Sequence, residues 1–387
     1  MYHYKEVILL EKILIIIRIL FLFMSFYGYI QYFKRFIQRD LTISFVFCSI
    51  VSVLFFAGIL NILSEAAWCI AFVGIFLAFS SLQKRESFHA ITSHGIFFFC
   101  FGAIFFIFLL HGSKFTTYDN FSHWAVVSKV LIQHDRFPSF ADLFIMFQSY
   151  PLGSAIFIYY CAEIAGISSE WFQAFAQAFL MVGLVASIFA FTAKRTSVLL
   201  ASVCSVILLC SNMPFTDLTV DTLLSLAGFA ATAFCIYYRD DLQQKIPYTI
   251  PYSIFLINVK NSGIFFVAVV ICLSLYYTRN TRNKRIVQIA TLFSPFISLF
   301  LWKKHVNLVF QNGLNTKHSM SISNFSTVFQ DKTPEDISNI ISAIFHRTFS
   351  FSNPGVQLLL IGAVLWFLCK FIWKYHRTFP LLFCVSH

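Results

Sequence analysis

The sequence predicts an all-α, polytopic membrane helix bundle of about 10–12 transmembrane helices, with amphipathic interface helices in two long outer loops. Three observations carry that prediction. The chain of 387 residues is 58% hydrophobic and only 12% charged, and its mean hydropathy of +0.76 lies far above that of a water-soluble domain. Its apolar residues come in repeated runs of roughly 17–25, the length a helix needs to cross hydrocarbon. Its Lys and Arg residues cluster between those runs, the pattern of cytoplasmic loops. Backbone in lipid must satisfy its own hydrogen bonds, so the runs are helices. Barrel strands would be about ten residues long and alternating, and these are not.

The first run covers about residues 12–31 and leads to Lys34, Arg35 and Arg39. Runs at about 41–61, 66–82 and 91–111 follow, with Lys84 and Arg85 between the last two. With both basic clusters inside, the N-terminus and residues 112–150 fall outside. The next segment, about 151–167, is short for a span and holds Glu163 and two tyrosines. A half-inserted or surface-lying helix is expected there, because Lys194-Arg195 then falls inside after a span at about 170–192. Spans at about 197–213 and 220–238 flank the short outer loop MPFTDLTVD, and RDDLQQK follows inside.

Two shorter apolar pieces, about 247–258 and 263–277, are divided by Val259-Lys260-Asn261-Ser262. A lysine in mid-membrane costs several kcal/mol unless it reaches water or a partner. Two short helices meeting near the outer surface, with Lys260 toward a wet cavity, are therefore expected. Arg279, Arg282, Lys284 and Arg285 mark the inside again, and a span at about 286–302 leads out. In the second outer segment, Thr333-Pro334-Glu335-Asp336 supplies a cap, a proline at the first turn and two acids for the helix dipole. Ile337, Ile340, Ile341, Ile344, Phe345 and Phe349 then form an apolar stripe at helical spacing, as in a helix lying on a membrane face. A last span at about 355–373 precedes Lys374 and Arg377, and the tail FPLLFCVSH opens another apolar run, as in a chain that continues. The proposed inner loops hold 15 of the 28 Lys and Arg residues although they are short, which supports this layout.

The expected organisation is an N-terminal set of transmembrane helices over 1–111, then a first outer loop with a half-inserted helix over 112–169. A central transmembrane bundle over 170–302, a second outer loop over 303–353 and a C-terminal transmembrane helix with its tail over 354–387 follow. The net charge of +11 does not mark a nucleic-acid binder, because the cations form clusters between apolar runs rather than one basic stripe. The ten cysteines lie almost wholly within apolar runs and include no Cys-x-x-Cys pair, which reads as small buried hydrophobes. The first run carries Glu11, Lys12 and Arg18 and no small-residue cleavage site, so no cleavable signal peptide is expected. The 51 phenylalanines are expected on lipid-facing surfaces. No P-loop, GxSxG or HExxH pattern occurs.

Chemistry-bearing residues concentrate between His111 and Gly153. On a helix begun at Asp119 and stepped at 100° per residue, Phe121, Trp124, Ala125, Leu131 and Ile132 share one arc. Asp119, Ser122, His123, Lys129 and Gln133 share the opposite one. The first face suits the bilayer interface, with Trp124 as an anchor. The second is either a solvated face with Asp119 capping the helix, or an acid, an imidazole and an amine presented to one site. Asp119 and His123, one turn apart, are too few to make a metal site. Asp217 and Asp221 are also one turn apart, and Asp221 either caps a helix or meets substrate. Tyr150-Pro151 sets where the next apolar segment starts.

Tyr118-Asp119-Asn120-Phe121-Ser122-His123-Trp124, followed by Asp135-Arg136-Phe137-Pro138 and Tyr150-Pro151-Leu152-Gly153, resembles bacterial polytopic glycosyltransferases of the GT-C superfamily. Those enzymes carry an acidic residue, often Asp-Glu, in the first large outer loop. Thr216-Asp217-Leu218-Thr219-Val220-Asp221 is similar to their short second loop, and Val259-Lys260-Asn261-Ser262-Gly263 to their Lys-x-x-Gly helix break. The resemblance covers about residues 90–300. Asn120 stands where the usual Glu would be, so a two-carboxylate metal site lacks one ligand while the first Asp remains.

The resemblance implies a GT-C-like fold and a sugar donor linked to a polyprenyl phosphate or pyrophosphate in the bilayer. It also implies a glycan or lipid acceptor, no nucleic acid, and an active site on the outer, periplasmic or extracellular, face of the bacterial inner or plasma membrane. Asp119 would be the catalytic base toward an acceptor hydroxyl, with inversion at the anomeric carbon. Lys260, Lys129 or Arg136 would supply charge to the leaving phosphate. Tyr118, His123, Tyr150, Asp217 and Asp221 complete the expected substrate-binding set. No metal ligand is assigned, and a divalent metal cofactor stays open. Two other readings also stay open: a repeat-unit polysaccharide polymerase, which would lean on outer-loop arginines, and a non-enzymatic transporter or flippase of lipid-linked glycan, which would show paired halves.

Overall fold

The computed structural model describes residues 2–83, 93–279, 285–310, 332–349 and 362. Contacts divide the chain into two compact units, residues 1–205 with 212–320 and residues 206–211 with 321–387. The described residues are helical and contain no strand. The predicted span at 355–373, the basic residues Lys84, Arg85, Arg282, Lys284, Lys374 and Arg377, and the apolar tail lie outside the described residues.

In the first unit α1 (Tyr2–Phe33), α2 (Arg39–Ile59), α3 (Leu63–Gln83) and α4 (His94–Leu110) reproduce the first four predicted spans. A π-helical turn (Asn120–Trp124) leads into α5 (Ala125–His134), followed by α6 (Gly153–Ala165) and α7 (Glu170–Val185), which tightens into a 3-10 turn at Ala186–Phe191. The remainder are α8 (Arg195–Cys210), whose residues from 206 on belong to the second unit, α9 (Asp221–Tyr237), the short α10 (Leu242–Lys245), α11 (Thr249–Val259), α12 (Gly263–Tyr277), α13 (Arg285–Phe293) and α14 (Phe296–Val309).

Among the described residues five segments are long and apolar enough to cross a membrane: Leu10–Phe33, Arg39–Ile59, Leu63–Gln83, Glu170–Phe191 and Arg285–Val309. Shorter apolar helices, α4, α6, α8, α9 and α12, stand beside them. The chain is therefore a helical bundle with several helices of membrane-crossing length. The predicted span at 286–302 is two helices broken at Ser294-Pro295, where proline cannot continue the backbone ladder. The second of them runs on to Val309, so residues 303–309 belong to this helix and not to the second outer loop. Trp302, Val306 and Phe310 are buried, and this stripe carries the helix past the predicted boundary.

α2 and α7 are the most deeply enclosed of the five, while α1, α3 and the α13–α14 pair present most of their surface outward. Phe47 of α2 is the hub. Its ring meets Phe26 of α1 at 5.0 Å, Phe99 of α4 at 5.8 Å, Phe157 of α6 at 4.9 Å and Phe179 of α7 at 5.2 Å. The phenylalanine richness thus supplies a central aromatic cluster as well as outward-facing residues such as Phe76, Phe101 and Phe108. Among lipids such packing gains little from dehydration, and close ring contact is what holds the helices together.

α6 is not a lipid-facing span. Twelve of its thirteen residues are buried. Its C-terminal carbonyls, which a helix leaves unpaired, are taken by Arg18 of α1, whose guanidinium donates to the carbonyls of Glu163 and of Ile164, the latter at 3.0 Å. That guanidinium also lies 5.4 Å from the Trp68 ring centre, and Trp68 Nε1 donates to Glu163 Oε1 at 2.8 Å. Two ionisable residues in an apolar setting are thereby satisfied locally.

In the second unit, α15 (Pro334–Phe349) forms as the capping signal predicts. Asp336 N donates to Thr333 Oγ1 at 3.2 Å, while Thr333 N and Oγ1 donate to Asp336 Oδ2 at 3.0 and 2.7 Å. This reciprocal box closes the first turn. Ile340, Ile341 and Ile344 along it are exposed.

Candidate functional site

At one end of the first unit, here called the loop end, four segments meet. They are the π-turn with α5, residues 137–153, residues 212–221, and the break between α11 and α12. Asn120 joins the first to the third. Its buried side chain donates from Nδ2 to the carbonyl of Thr216 at 2.8 Å and accepts at Oδ1 from Leu218 N at 2.9 Å. Both halves of the amide are used, and Asp217 is held between the two clipped residues. Gln177 of α7 supports the same loop, donating to the carbonyls of Asp217 and Thr219 at 3.3 and 3.2 Å. Asp217 Oδ1 accepts from Thr219 N at 3.1 Å.

Asp221, in the first turn of α9, accepts from Lys260 Nζ at 2.6 Å. The lysine that interrupts the apolar segment has therefore found a carboxylate partner. Lys260 is extended backbone at the end of α11, and the chain doubles back at once into α12. A Cβ on Gly263 would collide with the carbonyl of Leu256, so the tight reversal needs glycine. Gly153 does the same for the Tyr-Pro-Leu-Gly segment: a Cβ there would stand 2.6 Å from the carbonyl oxygen of Asn258. Hence α6 starts in backbone contact with the residues just before Lys260.

The helix face expected around Asp119 is not the face that forms. Ser122 and His123 are buried, and Phe121 is exposed. The cause is the π-turn. Ala125 N donates to the carbonyl of Asn120, so one hydrogen bond spans five residues instead of four and shifts the phase of everything around it. His123 is enclosed by Trp124, Phe147 and Tyr150 at ring distances of 4.7, 5.4 and 5.5 Å. Neither ring nitrogen has a hydrogen-bond partner among the described residues. Burial keeps the imidazole neutral, with its pKa lowered to about 3. His123 thus lies under the surface, not on an acceptor-facing one.

The other predicted cations are spent on the loop's own architecture. Lys129 Nζ meets Glu170 Oε1 at 2.9 Å, and Glu170 Oε2 also accepts from Phe115 N at 3.0 Å. Arg136 meets Asp142 Oδ2 at 2.8 Å. Burial raises the Asp142 pKa, but hydrogen bonds from Arg136 and Ser139 and the guanidinium charge outweigh it, and the carboxyl ends below its usual range. Tyr118 is exposed, and Tyr150 sits in the aromatic layer against Trp124 and Phe147.

Asp119 differs from every neighbouring acid. It is exposed, and as N-cap of the π-turn its side chain makes no capping bond. Among the described residues of segments 112–169 and 212–221, it alone of the acids has no partner. Asp135 binds Tyr159, Asp142 binds Arg136, Glu163 binds Trp68, and Asp217 and Asp221 are held as above. The capping reading of Asp119 is not what the structure shows. No group of three or more His, Cys, Asp or Glu able to hold a metal ion occurs among the described residues. Sequence reasoning missed Asn120 as a clip, Gln177 as its support and Glu170 as the partner of Lys129. Only Asn120 gave a local signal, an amide where an acid was expected.

Comparison of the chain with family models, with curated proteins and with solved structures gives no match. Fold and site together define a class and no more: an all-helical bundle with helices of membrane-crossing length and a loop end where four segments meet.

Proposed function

We propose that the chain is a membrane glycosyltransferase. It moves a sugar from a polyprenyl-phosphate-linked donor to a glycan or lipid acceptor at the outer face of the bacterial inner or plasma membrane, with Asp119 as general base. The single observation behind this reading is the unpartnered, exposed Asp119 carboxylate, set beside a loop that Asn120 clamps in place. A base must be free to accept a proton and fixed where the acceptor arrives.

In the proposed step the acceptor hydroxyl gives its proton to the Asp119 carboxylate as its oxygen bonds to the anomeric carbon. The bond from that carbon to the phosphate oxygen breaks, and the polyprenyl phosphate leaves with the electron pair, inverting the centre. The developing phosphate charge needs a cation. Lys260 is the one this reading retains, because its partner Asp221 is 74% exposed, whereas Glu170 and Asp142, which hold Lys129 and Arg136, are 23% and 10% exposed. Its pairing with Asp221 sets its position until the phosphate competes for it.

The decisive experiment is Asp119→Asn in reconstituted vesicles supplied with lipid-linked sugar. Transfer is expected to fall at least about 100-fold, the lower range for loss of a general base, with membrane insertion and thermal stability unchanged. Undiminished transfer by the folded variant would overturn the assignment.

A further inference from the structure

α14 carries a second cationic feature away from Asp119. Lys303 and Lys304 are exposed, and neither has a partner among the described residues. With Phe300, Asn307 and Leu308 they line an open hollow of about 500 Å³. These positions follow the i, i+3, i+4, i+7, i+8 spacing of one helix face. Phe300 and Leu308 on that face are 66% and 61% exposed, a high value for large apolar side chains.

The opposite face of the same helix is fixed. Trp302 Nε1 donates to the carbonyl of Ser149 at 3.1 Å, the indole stacks on His305 at 5.4 Å, and Phe137 meets it at 6.1 Å. The rotation of α14 is therefore set from behind, and the lysine face is held outward rather than turning there by chance. Arg285–Val309 is one of the segments able to cross a membrane, and the lysines lie in its last two turns. Phe300 precedes them by three to four residues, roughly 5–6 Å along the axis toward the apolar middle. Ammonium groups at head-group level with an aromatic ring one turn deeper match an amphiphile that has an anionic head and a hydrocarbon tail.

We propose that this face of α14 is a binding site for an anionic phospholipid. The Lys303 and Lys304 ammonium groups take the phosphodiester, Asn307 serves the polar backbone of the head group, and Phe300 packs against the first part of an acyl chain. The occupant is a bilayer phospholipid rather than the sugar donor, because among the described residues the lining comes from α14 and includes no residue of the Asp119 site. The site stands whether or not the chain transfers sugars.

The test uses the full-length protein, purified in detergent, stripped of lipid and titrated with phosphatidylglycerol and with phosphatidylcholine by native mass spectrometry. Phosphatidylglycerol is expected to bind, and to bind roughly 10–30-fold more weakly when Lys303→Gln and Lys304→Gln are combined. The Lys303→Arg, Lys304→Arg pair retains binding and shows that the face tolerates change. Asp119→Asn leaves binding untouched, which separates this site from the catalytic reading. Equal retention of phosphatidylcholine, undiminished binding by the Gln pair, displacement by inorganic phosphate at equal concentration, or preference for polyprenyl phosphate over phosphatidylglycerol would each overturn the proposal.

Discussion

Asn120 is a buried amide with both halves of its side chain in use, and its surroundings show why an acid does not fit. Its Nδ2 donates to one carbonyl and its Oδ1 accepts from one backbone N–H, with the side chain fully buried. A carboxylate there would face the Thr216 carbonyl with no proton to offer. Asn120→Asp is therefore expected to destabilise the loop end by about 1–3 kcal/mol, the cost of a buried bond lost against an unsatisfied partner. Asn120→Ala should cost about as much. Thermal denaturation in detergent measures both, and a gain in stability or activity from the Asp variant would show the clip to be dispensable. His123 lies on the same turn and gives a pH prediction. Its folded pKa of about 3 lies below its ordinary 6.5, so between those values the unfolded chain binds a proton that the folded chain refuses. Stability must fall as pH drops from about 6.5 toward 3, by at most about 1.4 kcal/mol per unit. His123→Phe keeps the ring and removes both unpartnered nitrogens, so it should flatten that slope. Hydrogen exchange at residues 120–125 across this pH range reads the effect directly, and an identical slope in both proteins would refute it.

At the scale of elements, much of the chain could be read from periodicity and punctuation. α2, α3, α4, α9, the helix pair around Lys260 and the capped helix at Pro334 form within a few residues of expectation, while α1 begins about ten residues before its predicted run. Each is announced locally by a long apolar run, a basic cluster or a capping residue. What could not be read depends on residues far away in sequence. The π-turn is one case, since nothing between Asp119 and Trp124 signals one extra residue in the turn, and the clipped partners lie almost a hundred residues on. The pairing of Lys129 with Glu170, 41 residues away, is another. Arg18 is the third. It reads as a stray charge in the first run, yet it satisfies the buried end of α6. Arg18→Met keeps the length and removes the donors, leaving two buried carbonyls bare. A loss of about 2–4 kcal/mol is expected, and protease sensitivity near residue 166 should rise. Gly153→Ala tests the other end of α6. Its new methyl would press on the carbonyl of Asn258, and overpacking of that kind costs about 1–3 kcal/mol. A melting temperature unaltered by Gly153→Ala would mean that α6 has room to move away from α11.

For the whole molecule, the central question is how many times the chain crosses between Asp119 and Asp217, and two hydrogen bonds bear on it. Asn120 bonds to Thr216 and to Leu218, so both loops lie at one end of the bundle, and the helices between them must make an even number of crossings. Besides the ten-residue α5 of the loop end itself, α6, α7 and α8 intervene. For the proposed multi-pass chain, three full crossings would place the loops on opposite sides, so the expectation is that one of the three does not cross, and α6 is the one whose length and setting fit. It has thirteen residues, about 20 Å at the helical rise and short of the roughly 30 Å of hydrocarbon. Tyr159 at its middle bonds to Asp135 of the loop end at 2.7 Å while Phe157 packs into the aromatic core. This assigns sides. Tyr118 is 70% exposed at the loop end, and the Asp240 side chain is 91% exposed after α9. With α6 non-crossing, Tyr118→Cys and Asp240→Cys lie on opposite faces of the membrane. Wholly buried native cysteines such as Cys48 stay silent, and Cys69, Cys100, Cys204, Cys210 and Cys272, together with Cys369 and Cys384, are replaced by serine first. A membrane-impermeant maleimide added to intact cells is then expected to label residue 118 at once and residue 240 only after permeabilisation. Labelling of both from outside would mean that α6 crosses after all. Labelling of residue 240 alone would turn the bundle over and put Asp119 in the cytoplasm, against the proposed placement of the site.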